Sequence, residues 1–379
     1  MNSKKMKIAI IADWLIDFGG AELVISHLLE MYPEADIYTS VCYMDHPMLA
    51  GRKVYTSWIQ KIPYLNRKHK LAGLLRPWAF RSFDLSEYDI IISSSSAESK
   101  NAGYTKRKEG AKHICYCHTP IRYYWSHAKE YEDMMEFGIL NPIVKFVFPL
   151  VRNWMKRLDF EAAQKVDFFI ANSKTTAERI KLYYNRNSEV IYPGVNEGST
   201  PALVENKNGK YYLGLGRCIP YKRFDLLVEA FNTNGKKLIL CTATDTKLYH
   251  ELKEKSKPNI EWKFRVSNEE KIALMANAKA FLFPPEEDFG LVPVEAMSQG
   301  TPVIAYGKGG ATESIIEGVS GIFFLPQSAG ALNTAIEKFE SMSWEREKIQ
   351  TEAQKFGKDI FQKHIASFVE KIGGNTFLK

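Results

Sequence analysis

The sequence predicts an α/β protein built from two doubly wound, Rossmann-like domains. Three observations predict it. Short apolar runs alternate with amphipathic segments along most of the chain, the pattern of parallel strands joined by helical crossovers. The alternation breaks once, in the polar stretch Asn196–Lys210, and then restarts. At 379 residues the chain is too long for one ordinary hydrophobic core, whereas two domains suit it.

In the first half, Lys7–Ala12 (KIAIIA) reads as a buried strand, and Gly19-Gly20 opens a helix that runs to about Tyr32. Asp36–Ser40, Asp89–Ser93, His113–Tyr116 and Asp167–Ala171 are the next strands, with a long and mainly helical stretch between the last two. After Asn196–Lys210 come strand Tyr211–Leu215, helix Phe224–Phe231, strand Lys237–Cys241 and a helix from Asp245. Strand Ile260–Lys263, helix Asn268–Asn277, strand Ala280–Phe283, helix Pro293–Gln299 and strands Pro302–Tyr306 and Gly321–Leu325 complete the series. Right-handed crossovers then give two parallel sheets. The expected domains are 1–195 and 196–357. The last segment, 358–379, carries Phe361, Ile365, Phe368, Val369 and Ile372 at helical spacing and is expected to pack back on the first domain.

Composition narrows the class. Hydrophobic residues at 45% and charged residues at 25% belong to a globular protein. The net charge of +7 is compatible with anionic ligands or surfaces without choosing among them. The five cysteines, Cys42, Cys115, Cys117, Cys218 and Cys241, are scattered and form no C-x-x-C, so they read as reduced, mostly buried thiols, not a metal centre. Met1–Lys7 is polar and basic and runs into a strand, which predicts no secretory leader and a cytoplasmic protein. Phe137–Leu150 is apolar but broken by Asn141, Pro142, Lys145 and Pro149, too short and too interrupted to span a bilayer.

Two segments carry the chemistry. Glu287-Asp288-Phe289-Gly290-Leu291-Val292-Pro293-Val294-Glu295 places two carboxylates eight positions apart, between a strand ended by Pro284-Pro285 and a helix with Pro293 in its first turn. Such a loop lies at a carboxyl strand end, where open α/β sheets bind ligands. Gly290 permits close approach of the backbone, and amides at the helix start can hold oxygens. The second segment, Gly216-Arg217-Cys218-Ile219-Pro220-Tyr221-Lys222-Arg223, follows a strand and offers Arg217 and Lys222 to a diphosphate: a forked donor and a mobile point charge. Gly214-Leu215-Gly216 begins a dinucleotide fingerprint, but Ile219 occupies the place of its third glycine. Gly307-Lys308 is followed by Gly309, not by Ser or Thr. Both facts disfavour a nicotinamide dehydrogenase and a P-loop NTPase.

Taken together, Gly216-Arg217-x-x-Pro220-x-Lys222-Arg223, Glu287-x7-Glu295 and Gly309-Gly310-x-x-Glu313 resemble the retaining glycosyltransferase family 4. Gly19-Gly20-Ala21-Glu22 and Cys115-Tyr116-Cys117-His118-Thr119-Pro120-x-Arg122-Tyr123-x-Trp125 resemble its bacterial mannosyltransferases that build O-antigen and other surface polysaccharides. The resemblance covers nearly the whole chain. It implies the GT-B fold, with the two domains facing a central cleft, the first for the acceptor and the second for the nucleotide sugar.

By the same resemblance, Arg217 and Lys222 bind the donor diphosphate and neutralise the leaving group. Glu287 bonds donor sugar hydroxyls beside the amides of Phe289, Gly290 and Leu291, and Glu295 holds the ribose. Gly19 and Gly20 face the donor phosphates and the acceptor, and His118 lies near the anomeric carbon. No Asp-x-Asp follows a strand, so Arg217 and Lys222 stand where a metal would otherwise act, and neither metal nor other cofactor is expected. Where members of the family often carry a glycine before the helix at Asn268, this chain has Trp262-Lys263-Phe264-Arg265.

The expected reaction is transfer of mannose from GDP-mannose to a lipid-linked saccharide at the inner face of the cell membrane. Nucleic acid is not an expected partner. A UDP-hexose donor is the nearest rival; a sugar-nucleotide epimerase and a non-catalytic sugar-nucleotide binder are the others. Two basic, aromatic stretches, Trp58–Phe80 (with Lys61, Arg67, Lys68, Lys70, Arg76 and Trp78) and Val144–Arg157, are the expected contact with anionic lipid.

Overall fold

The computed structural model describes residues 6–66, 71–126, 141–196 and 210–373. The chain divides into two compact units, Met1–Tyr192 with Phe361–Lys379, and Pro193–Ile360. Each has its own parallel sheet.

In the first unit the strands are β1 (Ile8–Ala12), β2 (Asp36–Thr39), β3 (Val54–Thr56), β4 (Ile90–Ser95), β5 (Lys112–Cys117), β6 (Phe168–Ala171) and β7 (Ser188–Val190). They lie in the order β3-β2-β1-β4-β5-β6-β7, so the sequence order reverses between β1 and β4. Ile10 sits in register between Ile37 and Ile92, and all three are buried. Burial on both faces is why these strands read as unbroken apolar runs. The edge strands β3 and β7 lack such runs, and neither was expected from the sequence. Helix α1 (Gly20–Met31) follows β1, α2 (Asn141–Gln164) precedes β6, and α3 (Lys174–Tyr184) follows it, started by Ser173, whose hydroxyl accepts from the Thr176 amide at 3.0 Å.

The second unit repeats the scheme. Strands β8 (Tyr212–Leu215), β9 (Leu238–Thr242), β10 (Ile260–Phe264), β11 (Ala280–Phe283), β12 (Val303–Tyr306) and β13 (Gly321–Phe324) lie in the order β10-β9-β8-β11-β12-β13. Helices α4 (Phe224–Asn234), α5 (Lys247–Lys255), α6 (Asn268–Ala276), α7 (Leu291–Ser298), α8 (Ala329–Glu340) and α9 (Arg346–Gln354) accompany them. The core runs from Phe224, Leu227 and Phe231 through Leu240 and Leu282 to Leu332 and Phe339.

Helix α10 (Lys358–Gly373) is the last of the described elements. Its stripe of Phe361, Ile365, Phe368 and Val369 is buried in the same core as Ile8, Ile10 and Leu28 of the first unit. Each such side chain contributes roughly 1.5–3 kcal/mol by leaving water. The division between the units falls at Tyr192/Pro193, three residues before the expected boundary, because the Val195 amide donates to the Phe356 carbonyl at 2.8 Å and ties that segment to the second unit. Among the described residues no helix is long and apolar enough to cross a membrane. Of the apolar stretch 137–150, residues 137–140 lie outside the described residues, and the rest belongs to α2, which carries Pro149 in its interior.

Candidate active site

In the second unit the strand order reverses between β8 and β11, and both segments expected to carry the chemistry begin at the carboxyl ends of these two strands. Open α/β sheets bind ligands at such a switch point because the two connections leave in opposite directions and part there. The turn after β8 is pinned to the end of β9: the Cys218 amide donates to Thr242 Oγ1 at 3.1 Å and Thr244 Oγ1 at 2.7 Å. A single 3-10 turn, Pro220–Lys222, follows. Arg223, in the left-handed region at φ 56°, then redirects the chain into α4. Its guanidinium is engaged by Asp225 at 3.1 Å and Gln327 at 2.8 Å.

This geometry separates the two expected diphosphate ligands. Lys222 turns inward and forms an ion pair with Glu287, both side chains being only 14% and 13% exposed. Arg217 stays exposed, with Nη2 donating to the Tyr221 hydroxyl at 3.0 Å. The Glu287 loop is held from below by Gly309 and Gly310. The Gly310 amide donates to the Glu287 carbonyl at 2.8 Å, and a Cβ on Gly310 would stand 2.2 Å from the Asp288 carbonyl oxygen. That is the physical reason for the glycine pair: only a residue without a side chain lets the two loops approach so closely.

Gly290, at φ 86°, is the residue before α7, so the helix begins at Leu291, two residues before the expected start at Pro293. Pro293 still lies within its first turn. Phe289 is buried and its ring packs on Phe356 with centroids 5.4 Å apart, which leaves its backbone as the part that can face a ligand. Glu295 is bonded by Lys271 of α6, Nζ lying 3.2 Å from both carboxylate oxygens. Lys271 was not singled out in the sequence, where it is one of many lysines.

The switch point of the first unit lies between β1 and β4. Asp13, just beyond β1, is buried and accepts from the amides of Ser96 (2.7 Å), Ala97 (2.8 Å) and Ser99 (2.8 Å). Burial pushes its carboxyl above the ordinary range, and the amides oppose that shift. His118 follows β5, with Nε2 2.7 Å from Ser94 Oγ at the end of β4. Gly19 and Gly20 are exposed at the start of α1, and the Gly19 amide donates to Glu22 Oε2 at 3.1 Å. Burial pushes the Glu22 carboxyl up to about 7.

Much of the aromatic motif around His118 is structural. Trp125 Nε1 donates to Asp159 at 2.8 Å, and Asp159 pairs with buried Lys100 at 2.7 Å. Tyr123 donates to Glu98 at 2.5 Å, and Glu98 pairs with Arg76 at 2.6 Å. Arg76 is 3% exposed, which corrects its place in the expected lipid-facing basic cluster: a guanidinium enclosed by Glu98 and Tyr123 cannot reach a headgroup. Burial works against the charge of Arg76 and of Lys100, but the carboxylates beside them raise both above their ordinary values. Arg67, Lys68 and Lys70 of the same cluster lie outside the described residues. Four of the five cysteines are buried and Cys42 is half-buried.

The two doubly wound sheets, each with a polar or charged pair at its switch point, define a protein of two Rossmann-like domains of the kind found in GT-B glycosyltransferases. Residues 18–198 match the family model Glycosyltransferase Family 4, and residues 196–356 match Glycosyl transferases group 1. The chain is therefore made of a glycosyltransferase family 4 domain followed by a glycosyl transferases group 1 domain.

Among relatives, it is similar to the mouse Alpha-1,3/1,6-mannosyltransferase ALG2, 26% identical over 272 residues, 61% of this chain and 64% of that one. The human protein of the same name is 30% identical over 207 residues, 46% of this chain and 50% of that one. The chain thus spans between half and two thirds of the length of these relatives. Among solved structures it is similar to Anabaena HepE in complex with UDP and glucose, at 20% identity, TM-score 0.71, and coverage of 96% and 99% of the two chains. Sucrose-phosphate synthase from Thermosynechococcus elongatus gives 16% identity, TM-score 0.73 and 97% and 99% coverage.

Proposed function

We propose that this protein is a retaining glycosyltransferase that moves mannose from GDP-mannose to a lipid-linked saccharide in surface-polysaccharide synthesis. The observation that carries the reading is the Lys222–Glu287 pair across the switch point of the second sheet, beside the start of α7. A sugar nucleotide presents a diphosphate next to a polyhydroxylated ring, and this pair offers one group to each. On donor binding the diphosphate oxygens take the Lys222 ammonium, joined by Arg217, and the sugar hydroxyls bond Glu287. Glu295 takes the ribose hydroxyls. Cleavage of the anomeric C–O bond builds negative charge on the diphosphate, which Lys222 and Arg217 stabilise without a metal ion. The acceptor oxygen joins the anomeric carbon on the face the leaving group vacates, and its proton passes to the departing phosphate oxygen. Within the first unit the same reading gives roles to His118, whose Nε2 lies 2.7 Å from Ser94 Oγ, and to Gly19 and Gly20.

The names of the mouse and human relatives support mannose as the sugar. The Anabaena structure, solved with UDP and glucose, favours a second reading with a UDP-hexose donor on the same residues. The test is incubation with a panel of sugar nucleotides in the absence of acceptor. Slow release of GDP from GDP-mannose supports the first reading, release of UDP from a UDP-hexose the second, and no release from any donor counts against both.

A peripheral place on the inner face of the membrane suits a lipid-linked acceptor. Trp78 and Trp154 support it: their rings stack with centroids 5.6 Å apart, and both remain exposed, as do Leu74, Leu75 and Leu150. Indoles favour the headgroup region.

A further inference from the structure

Beside the Gly19-Gly20 loop the first unit exposes an aromatic step that no residue of the proposed donor site accounts for. Phe18 is 46% exposed and its ring lies flat on His46, with centroids 4.3 Å apart and planes 15° from parallel. The two rings come from different loops. Phe18 follows β1; His46 follows β2, from a segment fastened to the first loop where the amides of Tyr43 and Met44 donate to the Leu15 carbonyl at 2.7 and 3.1 Å. His46 is fixed a second time, because its Nδ1 accepts from the Met48 amide at 3.2 Å. In the neutral ring this leaves the proton on Nε2, as a hydrogen-bond donor. Tyr43, in the same segment, is also 46% exposed.

We infer that Phe18 and His46 form a binding subsite for a neutral pyranose ring of the acceptor saccharide. This rests on the transferase reading above and names a part of the acceptor's site. The C–H groups of a pyranose face carry partial positive charge and lie well on the negative face of an aromatic ring. Water competes poorly for that face, and one fixed donor beside it orients the hydroxyl rim. The ring pair is held by two loops and by a main-chain bond, so little ordering remains to be done when a sugar arrives. Its position next to Gly19 puts a saccharide beside the glycine loop that the same reading assigns to the reacting groups.

The experiment titrates the full chain with propyl α-mannopyranoside and the matching glucoside and galactoside, read by saturation-transfer NMR. At least one glycoside is expected to bind the wild type. Phe18→Ala is expected to weaken binding roughly three- to tenfold, the range for one aromatic stacking contact. Phe18→Tyr restores it, and His46→Ala weakens it. Unchanged far-ultraviolet circular dichroism and Tm of the variants show that they fold. Absence of binding by all three glycosides, or equal binding by folded Phe18→Ala, overturns the subsite. Donor hydrolysis by the wild type is scored separately. Glycoside binding at Phe18 without hydrolysis of any sugar nucleotide keeps the subsite and defeats the transferase reading; hydrolysis without such binding defeats the subsite alone.

Discussion

Lys222 and Glu287 meet in a largely enclosed ion pair although 65 residues separate them, because β8 and β11 are adjacent in the sheet and both loops start at their carboxyl ends, at the switch point. The pair ties the stability of the second unit to its proposed chemistry.

Lys222→Ala is expected to lower kcat/KM for the natural donor by roughly 2–4 kcal/mol, the cost of one preorganised charge-stabilising group. It also leaves Glu287 half-buried without its cation, so Tm falls. Lys222→Ala combined with Glu287→Gln recovers part of that Tm while activity stays low. Comparing the single and double variants by calorimetry and by turnover checks this; full activity in Lys222→Ala refutes the assignment.

The glycine pair beneath the Glu287 loop gives a second prediction. Gly310→Ala places a methyl group where only 2.2 Å separates it from the Asp288 carbonyl oxygen, so the loop is displaced and the protein loses on the order of 1–3 kcal/mol. Gly330→Ala, in the first turn of α8 with nothing beyond the local helix backbone within 4 Å of the new methyl group, gains about 0.4–1 kcal/mol. Urea denaturation of both variants reads the opposite signs.

Stability should fall as pH rises through the window that Glu22 sets. Its folded value is raised by burial to about 7 from the ordinary 4.5, so between those values the folded state holds a proton that the unfolded state has released. The contribution is complete below the unfolded value and is lost as pH approaches 7, up to roughly 3 kcal/mol by linkage. Glu22→Gln removes this slope and is more stable than wild type at pH 8. Denaturation of both proteins at pH 5 and pH 8 measures the difference; parallel pH dependences would show that Glu22 does not set it.

On the proposed mechanism transfer is expected to proceed in EDTA, because that reading gives Lys222 and Arg217 the task of balancing the charge on the leaving diphosphate. Activity that disappears on chelation and returns with Mg²⁺ or Mn²⁺ contradicts this.

Vesicles with anionic lipid should retain the protein at low salt and release it at high salt. Each basic residue near such a surface contributes about 1 kcal/mol, screened over a Debye length. Trp78→Ala with Trp154→Ala, and separately charge reversal at Arg67, Lys68 and Lys70, should each weaken co-sedimentation. Arg76 is no part of this test, since its charge is enclosed by Glu98. Binding indifferent to salt and to both sets of variants points to a soluble acceptor.

The sequence by itself determined the two doubly wound sheets, because a strand covered on both faces has to be a local apolar run, and Ile8–Ala12 and Ala280–Phe283 are such runs. It also singled out two short segments as candidates for chemistry, since turn residues, cations and carboxylates fall together there within a few positions. Only the tertiary structure decided which of those groups meet. Lys222 turned inward to Glu287 and Arg217 outward to Tyr221, although both stand in one short motif. Glu295 found Lys271, and Arg76 left the basic surface for Glu98. The edge strands Val54–Thr56 and Ser188–Val190 were equally out of reach. A charged side chain carries no local signal of its partner: whether it is solvated or paired depends on which loops the sheet order brings together, and that contact is made only when the chain has folded.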